Sequence, residues 1–385
     1  SAGSGAVTCA LLESGNVRCW GVGTFGALGY GKPDIIGDDE FPATQGNVNI
    51  GASAVQVAAS SHTCAVLATG AVRCWGPGAQ GALGYGNTIT IGDDETPAAA
   101  GDVNVGGRVV RVAVGYQRSC ALLSTGNVRC WGDGREGALG YGNLRTIGDD
   151  EAPATAGDLN IGGSVVQVAM GLKHTCALLS RGNVRCWGLN SSGELGYGNR
   201  ATIGDDDAAG AGGDVNVGGS VVQIAAGNEH TCAVLSNGRL RCWGNNYYSQ
   251  LGHPGPDPIG DDETPASAGD VPIDGVVQKV AAGGGHTCVL LASGSVRCWG
   301  DGEWGQLGYG NRRVMTAPAV GDVNVGGSVV NLITGHFHTC AILASGALRC
   351  WGANSFGAFG QLGYPDVIMI GDDELPYTAL DVAVQ

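Results

Sequence analysis

The chain has 385 residues, of which 71 are glycine and 14% are charged, with a formal net charge of −15 at neutral pH. An acidic balance without a basic arm argues against attachment to nucleic acid, and no apolar run is long enough to insert into a membrane. The length would suit two or three ordinary domains, but the pattern along the chain overrides that prior.

In chain order, the first unit holds Cys9 and Cys19, followed by Trp20-Gly21. The same arrangement returns as Cys64 with Cys74, Cys120 with Cys130, Cys176 with Cys186, Cys232 with Cys242, Cys288 with Cys298, and Cys340 with Cys350. Successive units start 55 or 56 residues apart, and the last step is 52. A fixed period of this length marks one supersecondary unit copied seven times.

The cleanest copy spans residues 165–219. Val165-Val166-Gln167-Val168-Ala169 reads as a buried strand and His174-Thr175-Cys176-Ala177-Leu178-Leu179 as a second. Ser180-Arg181-Gly182 is a turn, and Asn183-Val184-Arg185-Cys186-Trp187-Gly188 is a third strand. A glycine-rich excursion and the short segment Asp214-Val215-Asn216-Val217 lead to the next copy. These elements predict an all-β chain: one seven-bladed propeller over residues 1–385, with four antiparallel strands per blade. The tail Ala383-Val384-Gln385 joined to the head Ser1 to Cys9 reads as one repeat, so both termini are expected to pair in one blade and close the ring.

Each cysteine pair flanks a glycine turn, which brings its members opposite one another on adjacent strands and within disulfide reach. Seven bridges in an oxidising, extracellular or cell-surface compartment is the reading favoured here. The alternative is fourteen small buried thiols in a cytosolic core. The absence of Cys-x-x-Cys argues against zinc or redox chemistry. No signal peptide precedes Ser1, as expected of a mature chain or an excised fragment.

The pattern Gly-x-x-His-Thr-Cys-Ala-Leu-Leu-x-x-Gly-x-Val-Arg-Cys-Trp-Gly, continuing to Gly-x-Leu-Gly-Tyr-Gly, resembles the repeat of the regulator of chromosome condensation family. The resemblance covers essentially the whole chain and implies the seven-bladed propeller already counted. The cysteine-rich form with Ile-Gly-Asp-Asp-Glu in its loop is similar to repeats of secreted or surface proteins of bacteria. Family members include an exchange factor for a small GTPase, a plant photoreceptor and an inhibitor of β-lactamase, so the resemblance implies a disc whose loops recognise another protein. Fold alone does not choose among such roles.

The residues narrow the choice. The pairs before each strand-two histidine vary: Gly5-Ala6, Ser60-Ser61, Tyr116-Gln117, Leu172-Lys173, Asn228-Glu229, Gly284-Gly285 and His336-Phe337. They share a face with residues after each Trp-Gly, including Phe25, Arg135, Glu136, Asn190, Tyr247, Tyr248, Glu303, Trp304 and Phe356. Tyr116, Tyr247, Tyr248, Trp304 and Phe337 lack counterparts in most blades, as expected of anchors for a protein partner, with carbohydrate the next ligand class. The alternative is that they pack their own loops.

A second feature is acidic. Asp38-Asp39-Glu40, Asp93-Asp94-Glu95, Asp149-Asp150-Glu151, Asp205-Asp206-Asp207, Asp261-Asp262-Glu263 and Asp372-Asp373-Glu374 recur, and the sixth copy has Met315-Thr316-Ala317 instead. Calcium is the cation such carboxylates would suit. Competing readings are a solvated turn, capping of backbone, and pairing with the Arg of Val-Arg-Cys. The Trp-Gly tryptophans read as packing. The histidines before Thr-Cys read as structural, since two copies replace them with Val7 and Arg118. No catalytic set emerges, so the chain reads as a non-enzymatic binding module without a required cofactor. A self-associating structural unit of a surface layer, fibre or adhesin is the alternative.

Overall fold

The computed structural model describes residues 7–316, 318, 321–354 and 360–384. Seven antiparallel sheets follow one another along the chain. The first holds β1 (Val7–Leu11) and β2 (Val17–Gly21), and the second β3 (Ala54–Ala59), β4 (Thr63–Leu67) and β5 (Val72–Trp75). The third holds β6 (Val109–Gly115), β7 (Arg118–Leu123) and β8 (Val128–Gly132), and the fourth β9 (Val165–Met170), β10 (His174–Leu179) and β11 (Val184–Gly188). The fifth holds β12 (Val221–Ala226), β13 (His230–Leu235) and β14 (Leu240–Gly244), and the sixth β15 (Val277–Ala282), β16 (His286–Leu291) and β17 (Val296–Gly300). The seventh holds β18 (Val329–Thr334), β19 (His338–Leu343), β20 (Leu348–Ala353) and β21 (Met369–Ile370). Among the described residues no helix is long and apolar enough to cross a membrane.

The turn between the second and third strands of a blade needs a left-handed residue, and glycine supplies it, as at Gly70 with φ 86°. That turn sets the register, and the register places each cysteine directly opposite its partner, Cys64 against Cys74 for example. All seven expected disulfides are formed. Cys9 is bonded to Cys19, Cys64 to Cys74, Cys120 to Cys130 and Cys176 to Cys186. Cys232 is bonded to Cys242, Cys288 to Cys298 and Cys340 to Cys350. Their Cα–Cα distances are 4.0–4.1 Å, the close approach that direct cross-strand pairing produces.

The expected fourth strand is present only in the seventh sheet. In six blades it shrinks to one bridge, such as Gly76 with Ile91 or Gly300 with Met315. Beyond that bridge a tyrosine takes over the edge, as Tyr364 also does beside β20, where its hydroxyl accepts the Cys350 N–H. The Tyr85 hydroxyl accepts the Cys74 N–H at 3.2 Å and lies 3.1 and 3.2 Å from the carbonyls of Cys74 and Gly101. It therefore satisfies the outer edge of β5 at Cys74, two residues before the bridge at Gly76. Tyr30, Tyr197 and Tyr309 repeat this contact set.

Blades lock to their neighbours through one backbone carbonyl each. Trp243 Nε1 and Thr231 Oγ1 of the fifth blade both donate to the carbonyl of Glu194 in the fourth, at 2.9 and 3.1 Å. The hydroxyl proton is thus committed, so His174 Nε2, 2.9 Å from Thr231 Oγ1, must be the donor in that pair. The same histidine clasp joins His62 to Ser119, His230 to Thr287, His286 to Thr339 and His338 to Thr8. The last of these unites the seventh blade with the first. All seven Trp-Gly tryptophans are fully buried, as packing requires. Burial holds His62, His174, His286 and His338 down to about 3 and His230 to about 4, so all five are neutral at physiological pH.

The tail does not fill the role its sequence suggested. Val382 N–H donates to Leu348 O at 2.8 Å, as Val103 does to Val72 O, so residues 381–384 match the Asp-Val-Asn-Val connector, not an inner strand. Ring closure uses the connector's contact: Arg18 Nη1 donates to Val384 O at 2.9 Å, the counterpart of Arg73 Nη1 to Ile50 O. The arginine of Val-Arg-Cys or Leu-Arg-Cys pairs with the aspartate of this connector in six blades, as in Arg73–Asp102 at 2.8 Å and Arg185–Asp214 at 2.8 Å, while Arg18 donates to Asn47; among the described residues none of them pairs with the acidic triads.

Candidate binding face

The expected common face exists because the strand-one tips bond directly to the residues after Trp-Gly. Asp133 N–H donates to Gln117 O, Asn245 N–H to Glu229 O, and Ala353 N–H to Phe337 O, all within 3.0 Å. Inner strands wall a central channel of about 310 Å³, with Ala113, Val168, Ala225 and Ala282 among its lining residues and the tips at its mouth. Backbone bonds link neighbouring tips around the mouth, Leu172 N–H to Asn228 O at 2.8 Å and Gly284 N–H to His336 O at 3.1 Å. Arg118, replacing a histidine, donates to the Gly171 and Leu172 carbonyls at 2.9 and 2.7 Å. Its full burial lowers the guanidinium to about 10.

The candidate residues fall into two sets. On the third and fourth blades Tyr116, Gln117, Leu172 and Lys173 form a polar sector, with Lys173 Nζ 3.5 Å from Glu136. Tyr116 stands half exposed there. On the fifth to seventh blades the aromatics come together. Tyr247 and Tyr248 stack edge to face at 4.9 Å, His336 and Phe337 at 4.0 Å, and Trp304 lies 6.1 Å from Phe337. The guanidinium of Arg312 sits 5.8 Å above the Trp304 ring. Asn228 Nδ2 reaches across to His336 Nδ1 at 3.3 Å, while Glu229 accepts from Asn245 at 3.1 Å. Tyr247 is 74% exposed, more than packing of its own loop would leave.

Gly284 and Gly285, which offer no side chain to a ligand, make this cluster feasible. A Cβ on Gly284 would meet His336 O at 2.7 Å, and one on Gly285 would meet Tyr248 Cδ2 at 3.0 Å. The signal was a glycine pair at a position otherwise held by side chains. Arg312 carried no repeat signal at all. Phe25 is exposed and held at φ 57°, a left-handed conformation shared by Gln80 and Glu136 in equivalent loops. Gly5, Ala6 and Phe356 lie outside the described residues.

The acidic triads sit elsewhere, at the seams between blades. Gly31 N–H of the first blade donates to Gly92 O beside Asp93, and Gly86 N–H to Gly148 O beside Asp149, at 3.0 and 3.1 Å. In the triads at 38–40, 93–95, 149–151, 205–207 and 261–263, one carboxylate oxygen per residue falls within 4.8 Å of the others. Burial, then hydrogen bonding to Asp39, pushes the Glu40 carboxyl up to about 7, and Glu374 rises likewise. Some oxygens already have partners: Gln45 donates to Glu40, Gly204 N–H to Asp207 at 2.6 Å, and Arg200 to Asp261 at 2.6 Å.

Sequence models of the regulator of chromosome condensation (RCC1) repeat match residues 109–138, 165–194, 221–250, 277–306 and 334–358, and a second model of that repeat matches 125–178 and 237–290. The chain is 30% identical over 364 residues to the ultraviolet-B receptor UVR8 of Arabidopsis thaliana, spanning 94% of this chain and 77% of the receptor. It is 29% identical over 351 residues to the E3 ubiquitin-protein ligase HERC2 of Homo sapiens, spanning 90% of this chain but 7% of the ligase. Among solved structures, yeast RCC1 (Prp20) bound to Kap60 superposes with a TM-score of 0.72 at 20% identity, covering 95% of this chain and 83% of that one. Human WBSCR16 gives 0.71 at 22% identity, covering 94% and 92%. These structural likenesses speak to the fold.

Proposed function

The chain belongs to the regulator of chromosome condensation repeat family, and we propose that it acts as a single-domain, non-enzymatic propeller that binds a protein partner through the tip face. The observation that carries this reading is the cluster of Tyr247, Tyr248, Trp304, His336 and Phe337, built over two glycines and partly open to solvent. Aromatic anchors beside an arginine are the chemistry of interface hot spots. A yeast relative in fold is described as binding Gsp1p and histones, and a protein partner is the corresponding expectation here. The net charge of −15 favours a partner with a basic or neutral surface. The recurring histidines support the non-enzymatic reading, since each is buried, neutral and engaged in a seam.

Seven disulfides support a secreted or surface location, because reducing compartments do not sustain such a set. For the acidic triads we infer a structural role in the seam turns. Calcium takes six to eight oxygen ligands, whereas each triad offers three carboxylates, some of them already engaged. A calcium titration followed by melting decides that point: a rise at micromolar calcium assigns a metal role. The binding face is tested by affinity capture from the native extracellular milieu, comparing wild type with a Trp304→Ala, Phe337→Ala double variant. Loss of a specific partner with an unchanged fold supports the face; equal capture refutes it.

A further inference from the structure

The acidic triads mark seams where the excursion of one blade is clamped to that of the next. The N–H groups of Gly31, Gly86 and Gly198 donate to the carbonyls of Gly92, Gly148 and Gly260 in the following excursion, at 3.0–3.1 Å. A second glycine packs beneath each of these triads. A Cβ on Gly81 would meet Asp149 N at 2.4 Å, and one on Gly193 would meet Asp261 N at 2.5 Å. The seam between the fifth and sixth blades has lost both parts. In the excursion after β14, Ser249 stands where the others have the packing glycine, at φ 61°. Pro254 stands where they have the donor glycine, and proline has no N–H to give. Across the seam, in the excursion after β17, Thr316 takes the place of the accepting glycine and the triad is absent. The changes are complementary, because the Cβ of Ser249 fits only where no triad turn lies above it.

The consequence is a segment held only at its ends. Among the described residues no backbone hydrogen bond joins 249–255 to 310–316. Arg312, Arg313, Val314 and Thr316 are exposed, and 312–314 belong to no helix or strand. Arg312 is engaged, donating to Glu303 O at 2.7 Å and lying over the Trp304 ring. Arg313 is not: among the described residues its guanidinium has no hydrogen bond or ion pair. The two form the only place in the sequence where arginine or lysine residues are adjacent.

We propose that the Arg313–Val314 peptide bond is a processing site for a serine protease of trypsin-like specificity, which takes an unpaired arginine on an exposed, irregular segment. The reaction is hydrolysis: water adds across the amide, leaving a carboxylate on Arg313 and an ammonium on Val314, with no other reactant. Other exposed basic residues are worse placed. Lys32 precedes Pro33, Arg145 and Arg200 adjoin triads packed on the preceding excursion, and Arg181 and Arg239 sit inside loops closed by disulfides. The product is a ring in two pieces. No bridge crosses the cut, because Cys288–Cys298 lies before it and Cys340–Cys350 after it. The pieces stay together through paired Gly300–Met315 backbone bonds at 3.0 Å, Val323 N–H to Val296 O at 2.8 Å, and Arg297–Asp322 at 2.8 Å. This site does not depend on the binding face proposed above, so either stands or falls alone.

The test is limited digestion of the full, oxidised chain with trypsin, followed by intact mass and N-terminal sequencing. A first cut that creates an N-terminus at Val314, or at Arg313 from cleavage one residue earlier, supports the site. That cut should outpace cleavage after Arg200 on the order of tenfold, as the missing clamp bonds imply. The two pieces should co-elute in size exclusion and separate on a denaturing gel without reductant. An Arg312→Gln, Arg313→Gln variant, changed only at exposed positions, should melt as the wild type does and resist the first cut. A first cut elsewhere, equal rates in variant and wild type, or separation of the pieces on native elution overturns the proposal.

Discussion

Replacing His62 with glutamine isolates the electrostatics of one seam. His62 is 1% exposed, and burial alone holds its imidazole at about 3. A folded value depressed below the unfolded 6.5 means that unfolding takes up a proton. The stability associated with this histidine is therefore complete above pH 6.5 and is lost as pH falls toward 3. Each pH unit in that window is worth about 1.36 kcal/mol, so about 2.7 kcal/mol disappears between pH 6.5 and 4.5. The wild-type profile alone would not reveal this, because Glu40 and Glu374 are raised and lose their contribution in the opposite direction, as pH rises from 4.5 through 7. The difference between wild type and His62→Gln cancels that background. Guanidinium unfolding by tryptophan fluorescence and circular dichroism, without reductant, should show the gap between the two proteins narrowing by about 2–3 kcal/mol from pH 7.5 to 4.5. A gap that stays constant to within about 0.5 kcal/mol means the imidazole is not held neutral, and the clasp is wrong.

Other consequences are more direct. The Trp304→Ala, Phe337→Ala variant should lose its partner while its melting temperature moves by less than about 3 °C, measured by calorimetry, since both rings are partly exposed. Tyr85→Phe removes a hydroxyl serving three backbone groups, and should cost about 1–3 kcal/mol in equilibrium unfolding and speed amide exchange at Cys74. Intact mass should rise by 14 units on reduction, two for each of the seven bridges, and any smaller increment contradicts a fully oxidised chain.

The parts of this fold that repeat were legible because they are local. A cysteine, a glycine turn and a second cysteine ten residues on suffice to place both halves of each bridge, from Cys9 with Cys19 to Cys340 with Cys350. What escaped were choices made between distant groups. Nothing near Tyr85 announces that its hydroxyl would cover the Cys74 backbone where strand pairing stops. The arginine of Val-Arg-Cys had two acidic candidates, and only the folded path shows the connector aspartate to be nearer. At the tail, Val382 and Val384 alternate as an inner strand would, yet their register with Leu348 assigns them to a connector. The division of the tip residues into polar and aromatic sectors was not legible either, because it depends on Gly284 and Gly285 letting His336 and Tyr248 come close.

The disulfides have a mechanical corollary. Every one closes a hairpin within its own blade, with a sequence separation of 10, and none crosses a seam. Pulled from its two ends, the molecule can part at any seam with no covalent bond broken, and then lengthen blade by blade. Each bridge withholds its hairpin from that extension, together about 70 residues or on the order of 240 Å of contour. Oxidised, the chain is a ring that yields in small, equal increments and keeps a hidden reserve of length, which only a reductant releases.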